Sequence, residues 1–434
     1  MYTFTIKDYH AIKDASIRID GITVLAGING SGKSTLSRWL YYLINATHGF
    51  EFFQRQYFIE SLVQEVEKVQ RVFRTTPKNA NYQSIRTQLR HMCSDDELDW
   101  GILKNTYDSF FEKAEVDLRE YAAERFSGRY LAAYLLGKDS TEELEVHSII
   151  DTYLQRCRDA YARGLNNYVE RIESYRFEDL ERVITAEYSN GERIPSKVSL
   201  SEGETPLLGT DSFTPPLMLN RAIYIDSPMA VSGRYYYHGT DIWGDFHHYL
   251  YRDNPQKENN LTERLSVQIQ SIIGGDIQLT NDKFDIEKEI HFVSREQSID
   301  INVNDAATGV KTFAYMLQLL RNGWLDKNTL LLIDEPEAHL HPQWIVEFAR
   351  LLVRIRKELG VKIVLASHNP DMVAAIQSIA RKEDVIGDTI FYLAEKYESD
   401  TRYVFVDKGD EIGDIFTSFN IALSRIEMYG TSVI

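Results

Sequence analysis

The chain has 434 residues, 43% of them hydrophobic and 26% charged, with a formal net charge of −17. That length suits two or three domains or one elaborated domain, and the acidic balance excludes a uniformly basic nucleic-acid-binding surface while leaving room for a local basic groove. Cys93 and Cys157 are too few for a disulfide framework or a zinc pattern and read as small buried hydrophobes. The N-terminus lacks a signal-peptide pattern and no run of about 18 apolar residues suggests a membrane span, so the expectation is a soluble, cytoplasmic protein with no membrane partner.

Three short strands are expected first, at Tyr2–Ile6, Ala15–Ile19 and Ile22–Ala26, with Gly21 turning between the last two. The third runs into Gly27-Ile28-Asn29-Gly30-Ser31-Gly32-Lys33-Ser34-Thr35, which fits G-x-x-x-x-G-K-[ST] between a strand and a helix. Glycines at this spacing let several backbone N–H groups face one anion, and the helix N-terminus adds partial positive charge. Lys33 can reach the terminal phosphates and the Ser34 hydroxyl can hold Mg²⁺. The segment therefore predicts ATP binding by Gly27, Asn29, Gly30, Ser31, Gly32, Lys33, Ser34 and Thr35.

From about Phe50 to Glu181 the pattern is helical, with few Gly or Pro. Ile59, Leu62, Val63, Val66, Val69 and Phe73 recur at helical spacing ahead of Pro77. Ser140-Thr141-Glu142-Glu143 reads as a capping box, followed by a stripe of Val146, Ile150, Tyr153, Cys157, Tyr161, Leu165, Tyr168 and Ile172. Such a stripe packs a helical subdomain, or else offers a partner surface.

Strand patterns return with Val183–Tyr188 and Lys197–Leu200 on either side of Asn190-Gly191-Glu192, a hairpin signal. Residues 201–216 read as a loop, and Arg221–Ile225 as a buried strand. Tyr235, Tyr236, Tyr237, Trp243, Phe246, Tyr249 and Tyr251 form an aromatic cluster suited to covering a core or to stacking on bases.

Asn304-Asp305-Ala306-Ala307-Thr308-Gly309-Val310-Lys311-Thr312 is a small, polar turn ahead of an apolar helix at Phe313–Leu320. Leu330–Glu335 is an apolar strand that ends in two carboxylates. Continuous apolar runs mark buried parallel strands, and their carboxyl ends are where ligands bind. Asp334 suits holding Mg²⁺ through water, and Glu335 suits the base that polarises the attacking water. Val361–Ser367 is another buried strand, ending at His368, which can contact the γ-phosphate or orient water. Strands near Thr389–Leu393 and Tyr403–Val406 and a helix near Ile412–Ile426 complete the pattern.

Together these motifs resemble the ABC-type ATPase superfamily, in the order phosphate loop, signature at Ala307–Lys311, acidic strand and switch His368. Asp334-Glu335-Pro336-Glu337-Ala338-His339-Leu340-His341-Pro342 looks like the D-E-P-E-x-H-L-H-P stretch of the SMC/RecF/OLD-like branch. That branch includes the ATPase subunits of anti-phage systems such as Septu (PtuA) and PARIS (AriA). The resemblance covers residues 1–50 and about 180–420. It implies an α/β, ABC-type P-loop ATPase head, a mixed sheet with antiparallel N-terminal strands, carrying a helical insertion. The segments would be 1–50 (N-terminal head), 51–181 (insertion) and 182–434 (C-terminal head). It also implies a head-to-head homodimer or larger homo-oligomer, in which Thr308, Gly309 and Lys311 reach ATP in trans and the Ala338–His341 stretch contacts the partner head.

A separate effector protein, a nuclease or toxin, follows from the same resemblance, with DNA as a further candidate partner. The implied roles are an ATP-driven switch in anti-phage defence, or a RecF-like DNA-repair ATPase. A transporter subunit fits less well. The signature lacks the double glycine and Gln, and the Gln of the Mg²⁺-sensing loop is missing, with Asp226 and Ser227 as substitutes. The insertion is far shorter than SMC coiled-coil arms.

Overall fold

The computed structural model describes residues 1–93, 98–137, 145–226, 242–255, 262–281, 288–398 and 400–419. Contacts divide the chain into two compact units, Met1–His48 with Leu180–Ile434, and Gly49–Asp179.

The first unit is built on strands β1 (Tyr2–Tyr9), β2 (Ile12–Ile19), β3 (Ile22–Ala26), β4 (Val198–Glu202), β5 (Thr205–Pro206), β6 (Arg221–Ile225), β7 (Asp276–Asn281), β8 (Lys288–Ser294), β9 (Ile299–Asn302), β10 (Thr329–Asp334), β11 (Lys362–Ser367), β12 (Thr389–Lys396) and β13 (Tyr403–Asp407). Ten of them form one sheet in the order β5-β4-β1-β2-β13-β12-β3-β11-β10-β6, and β7-β8-β9 form a small antiparallel sheet. The neighbours β12, β3, β11, β10 and β6 run parallel, while β1 pairs antiparallel with β2 and β4. This is a mixed α/β sheet with antiparallel N-terminal strands. β3 and β10 are buried at every position, as central parallel strands covered on both faces must be.

Register aligns the carboxyl ends of the central strands. Ala26 of β3 lies opposite Ser367 of β11 and Leu393 of β12, and Asp334 of β10 lies opposite Ala366. The helix Lys33–His48 covers β6, β10 and β11. Its Asn45 side chain donates to Ala222 O at 2.9 Å and accepts from Ala222 N at 2.7 Å. That pair of hydrogen bonds occupies backbone groups on β6, the last strand in the sheet order, which would otherwise template further pairing. Beyond the sheet, an apolar core draws on the helices Thr308–Arg321, Pro342–Leu359 and Pro370–Lys382, where Phe313, Leu317, Phe348, Leu352 and Ile376 are fully shielded or nearly so. Phe246 is part of this core, and Tyr249 and Tyr251 pack against it, which is the covering role expected of the aromatic cluster. Tyr235, Tyr236 and Tyr237 and the side chain of Trp243 lie outside the described residues.

The second unit is helical. Ile59, Leu62, Val63, Val66, Val69 and Phe73, all on or just after the helix Phe50–Val72, meet Tyr82, Leu103, Phe110, Ile150, Tyr153 and Cys157 in one core. The stripe on the helix Val146–Ser174 is thus packing for the most part. Its Ile150, Tyr153 and Cys157 are buried, and Tyr161, Leu165 and Tyr168 sit partly buried beside them. The capping-box residues 140–143 lie outside the described residues. Burial pushes the Cys157 thiol up to about 12 and that of Cys93 up to about 11, so both behave as apolar groups.

One expected element is corrected. Val183–Tyr188 is not a strand, because the helix Phe177–Val183 continues into a π-helical turn at Ile184–Tyr188. Leu180, Val183 and Ile184, spaced for one helical face, are all fully buried, and that packing outweighs the β-branched character of the segment. The turn itself is as read, with positive φ at Asn190 (51°) and Gly191 (93°), but it leads from a helix into β4. Two smaller adjustments concern residues 201–216, which contain the end of β4 and all of β5, and the final helix, described over Gly413–Phe419.

Candidate functional site

The loop after β3 adopts the backbone its glycines allow. Gly27 has φ of 152° and Gly32 of 96°, conformations costly for any residue with a Cβ. Space is also closed to a side chain. A Cβ on Gly32 would lie 2.6 Å from Ile12 Cγ1, and one on Gly27 would lie 2.8 Å from Ala394 Cβ. The helix Lys33–His48 begins inside the motif. Lys33 Nζ donates to Gly27 O at 2.8 Å and Ile28 O at 2.9 Å. Burial lowers its pKa, opposed by the charges of Asp334, Glu335 and Glu337.

A cavity of about 190 Å³ is lined by Ala11, residues 29–35, Asp334 and Glu335. The structure therefore brings the phosphate-loop residues and the two carboxylates of β10 together around one space, although a large part of the chain separates them. Asp334 is 4% exposed. Its Oδ2 accepts from the Tyr224 hydroxyl at 3.1 Å, and its Oδ1 is buried without a hydrogen-bond partner among the described residues. Burial raises its pKa, partly offset by the Ser34 hydroxyl and Tyr224, while the charge of Asp226 pushes it further up. Asp226 itself pairs with Arg38 at 3.2 Å, and Ser227 lies outside the described residues.

Glu335 follows β10 in the left-handed region, at φ of 50°, its N–H donating to Ala366 O at 2.9 Å. A non-glycine residue held there costs of order 1–3 kcal/mol and marks functional turns. Its side chain is 42% exposed, and Oε1 lies 3.6 Å from His368 Nδ1. His368 thus meets Glu335 at the edge formed by β10 and β11. Two residues that sequence reasoning passed over complete the arrangement. Tyr224 supplies the donor to Asp334, and Glu337 reaches back over β11, accepting from Ser367 Oγ at 2.9 Å and from His368 N at 3.0 Å. The signal for Glu337 was present as the second acid of D-E-P-E, whereas nothing in the Arg221–Ile225 run marks Tyr224.

The signature residues stand elsewhere. Thr308, Gly309 and Lys311 do not line the loop's cavity. They also sit inside the helix Thr308–Arg321, not in a turn ahead of it, since the preceding turn is a short 3₁₀ segment at Val303–Asp305. Lys311 Nζ donates to Asn304 O. A Cβ on Gly309 would lie 2.6 Å from the Trp344 ring. His341 caps the helix Pro342–Leu359, its side chain accepting from Gln343 N.

A glycine-built anion loop after the central strand, with an acidic strand end beside it, is the arrangement of a P-loop ATPase head. Residues 90–374 match the family described as "AAA domain, putative AbiEii toxin, Type IV TA system", and the chain belongs to that family. Over 100 residues it is 30% identical to the energy-coupling factor transporter ATP-binding protein EcfA2 of Clostridium perfringens (strain SM101 / Type A), covering 22% of this chain and 30% of that protein. Over 88 residues it is 35% identical to a putative ABC transporter ATP-binding protein of Bacillus cereus (strain ATCC 10987 / NRS 248), covering 20% of this chain and 15% of that one. The chain thus spans less than a third of the length of these curated relatives. The SMC head domain from Thermotoga maritima is similar at 11% identity and a TM-score of 0.34, over 93% of this chain and 97% of that one. Among the described residues, no helix is long and apolar enough to cross a membrane.

Proposed function

We propose that this chain is an ATP-hydrolysing switch that works by head-to-head assembly and reports to a separate effector, a nuclease or toxin, in bacterial anti-phage defence. The observation that carries the reading is the shared edge. Ala26 ends β3 opposite Ser367, and Asp334 ends β10 opposite Ala366, so the loop, Asp334 and Glu335 line one cavity, and His368 Nδ1 lies 3.6 Å from Glu335 Oε1. The family's description as a putative toxin of a type IV toxin–antitoxin system supports a defence role.

ATP phosphates would lie on the N–H groups of residues 27–35, with Lys33 exchanging the carbonyls of Gly27 and Ile28 for phosphate oxygens. The residues fit Mg²⁺. Asp334 Oδ1 is a buried oxygen with no partner among the described residues, and the Ser34 hydroxyl is its neighbour. Mg²⁺ characteristically takes one or two protein oxygens and leaves its other positions to phosphate and water. When bound, it would neutralise charge developing on the phosphates. Glu335, half exposed at the cavity wall, would accept the proton of the attacking water, and His368 would orient that water or the γ-phosphate.

Thr308 and Gly309 lie apart from the loop's cavity within one chain, which suits a role against the loop of a second copy, with Lys311 holding the turn before them. The test is Glu335→Gln with ATP and Mg²⁺. It should bind ATP, hydrolyse it at least about 100-fold more slowly and sediment as a dimer or larger. Wild-type turnover would remove Glu335 from the base role, and a monomer with ATP bound would remove the assembly.

One observation favours a second reading, a RecF-like ATPase that grips DNA. In the helical unit a cavity of about 350 Å³ is lined by Arg71, Arg74 and Arg86 around the single carboxylate Glu67, and Arg90 pairs with the same Glu67 at 2.8 Å. DNA affinity that falls steeply with salt, and falls again on Arg71→Glu, would support it.

A further inference from the structure

We propose that Glu337 is a positioning residue for hydrolysis, setting the imidazole of His368 through the end of β11. The inference rests on the reading of this edge as the ATP-hydrolysing site.

Glu337 does not line the phosphate cavity, and its side chain is 4% exposed against 42% for Glu335. It therefore acts through a neighbour, while Glu335 faces the reaction. Its Oε1 gathers three groups. The Ser367 hydroxyl donates at 2.9 Å, the His368 backbone N–H donates at 3.0 Å, and His368 Nδ1 lies at 3.4 Å. One carboxylate thus binds the backbone of His368 and lies beside its ring. Nδ1 stands between the oxygens of Glu337 and Glu335, at 3.4 and 3.6 Å. Both carboxylates thus flank one edge of the ring, and displacing Glu337 changes what that edge faces.

The turn that delivers Glu337 is itself defined. Ala338 N donates to Glu335 O at 2.9 Å and Leu340 N to Glu337 O at 3.0 Å, with φ of 50° at Glu335 and 59° at His339. Base and positioning acid thus share one constrained turn, and moving either strand end moves the imidazole. Glu337 Oε2 is buried without a hydrogen-bond partner among the described residues.

The test is steady-state hydrolysis with a double-mutant cycle. Glu337→Gln keeps the shape and one acceptor oxygen and removes the charge. It should lower kcat about 10- to 100-fold, leave the KM for ATP within about 3-fold of wild type and leave the melting temperature unchanged. Combined with His368→Ala it should add no further loss, because both changes remove one device. Glu337→Asp should recover part of the rate. Unchanged kcat in Glu337→Gln, or losses from the two sites that multiply, would overturn the proposal. Should Glu337→Gln fail to fold, Ser367→Ala carries the same cycle with a smaller loss. Lys33→Ala is measured alongside. If Lys33→Ala still hydrolyses ATP, the reading of the site falls and the inference with it. If Lys33→Ala is inactive while Glu337→Gln runs at the wild-type rate, only the positioning role falls.

Discussion

The hydroxyl of Tyr224, on β6, donates a hydrogen bond to Asp334 Oδ2, on β10, at 3.1 Å. It approaches from a neighbouring strand and leaves Oδ1 without a hydrogen-bond partner among the described residues. Tyr224→Phe removes the donor and keeps the ring. The expected result is weaker Mg²⁺ binding, with the concentration for half-maximal hydrolysis rising about 3- to 10-fold, since a lost hydrogen bond to a charged group is worth about 1.5–3 kcal/mol before compensation. A magnesium titration identical to wild type would show that Tyr224 only fills space.

Lys33 is 6% exposed and feels the charges of three carboxylates, Asp334, Glu335 and Glu337. Lys33→Ala should abolish ATP binding measured by calorimetry, and not merely turnover, because the proposed role of the cation is to hold the phosphates. Retained binding with lost turnover would confine Lys33 to the transition state.

Gly309 lies against Trp344, and a methyl there would meet the ring at 2.6 Å. Gly309→Ala should tilt the start of the helix Thr308–Arg321 and cut hydrolysis at least about 10-fold, since overpacking costs typically 1–3 kcal/mol. Gly309→Ala/Trp344→Leu should regain much of the loss. Mixing Gly309→Ala with Lys33→Ala subunits should restore up to one working site per hybrid dimer. No restoration at any ratio would refute a site shared between copies.

His48 closes the helix Lys33–His48. Burial lowers its pKa, against the raising effect of backbone groups at Leu219 and Pro216. A base depressed in the folded state binds fewer protons than the unfolded chain once pH falls below the ordinary histidine range. Stability should therefore drop as pH falls through about 6.5. His48→Gln should lose less melting temperature between pH 7 and 5.5 than wild type. Parallel losses in the two proteins would assign the acid sensitivity elsewhere.

Much of this site was legible in the residues. The phosphate loop, Leu330–Glu335 and Val361–His368 were readable because buried parallel strands need unbroken apolar runs, and each run here stops at its polar group. Their alignment was not, because opposing Ala26 to Ser367 is a matter of register between distant segments. Tyr224 could not be distinguished from any other apolar-run residue, since only the neighbouring strand gives its hydroxyl a target. Val183 to Thr185 misled for the opposite reason. Their local preference favours a strand, while the burial of Leu180, Val183 and Ile184 favours a helix.

The placement of β3 also bears on biosynthesis. Both of its partners, β11 and β12, come from Lys362 onward, so the strand leaves the ribosome early and waits for neighbours made much later. At roughly 5–20 residues per second the delay is on the order of tens of seconds. Gly49–Asp179, whose core draws on its own residues, is translated in full during that interval. The nascent chain therefore carries an unpaired, largely apolar strand through that interval, and a ribosome-bound chaperone would have its greatest effect there.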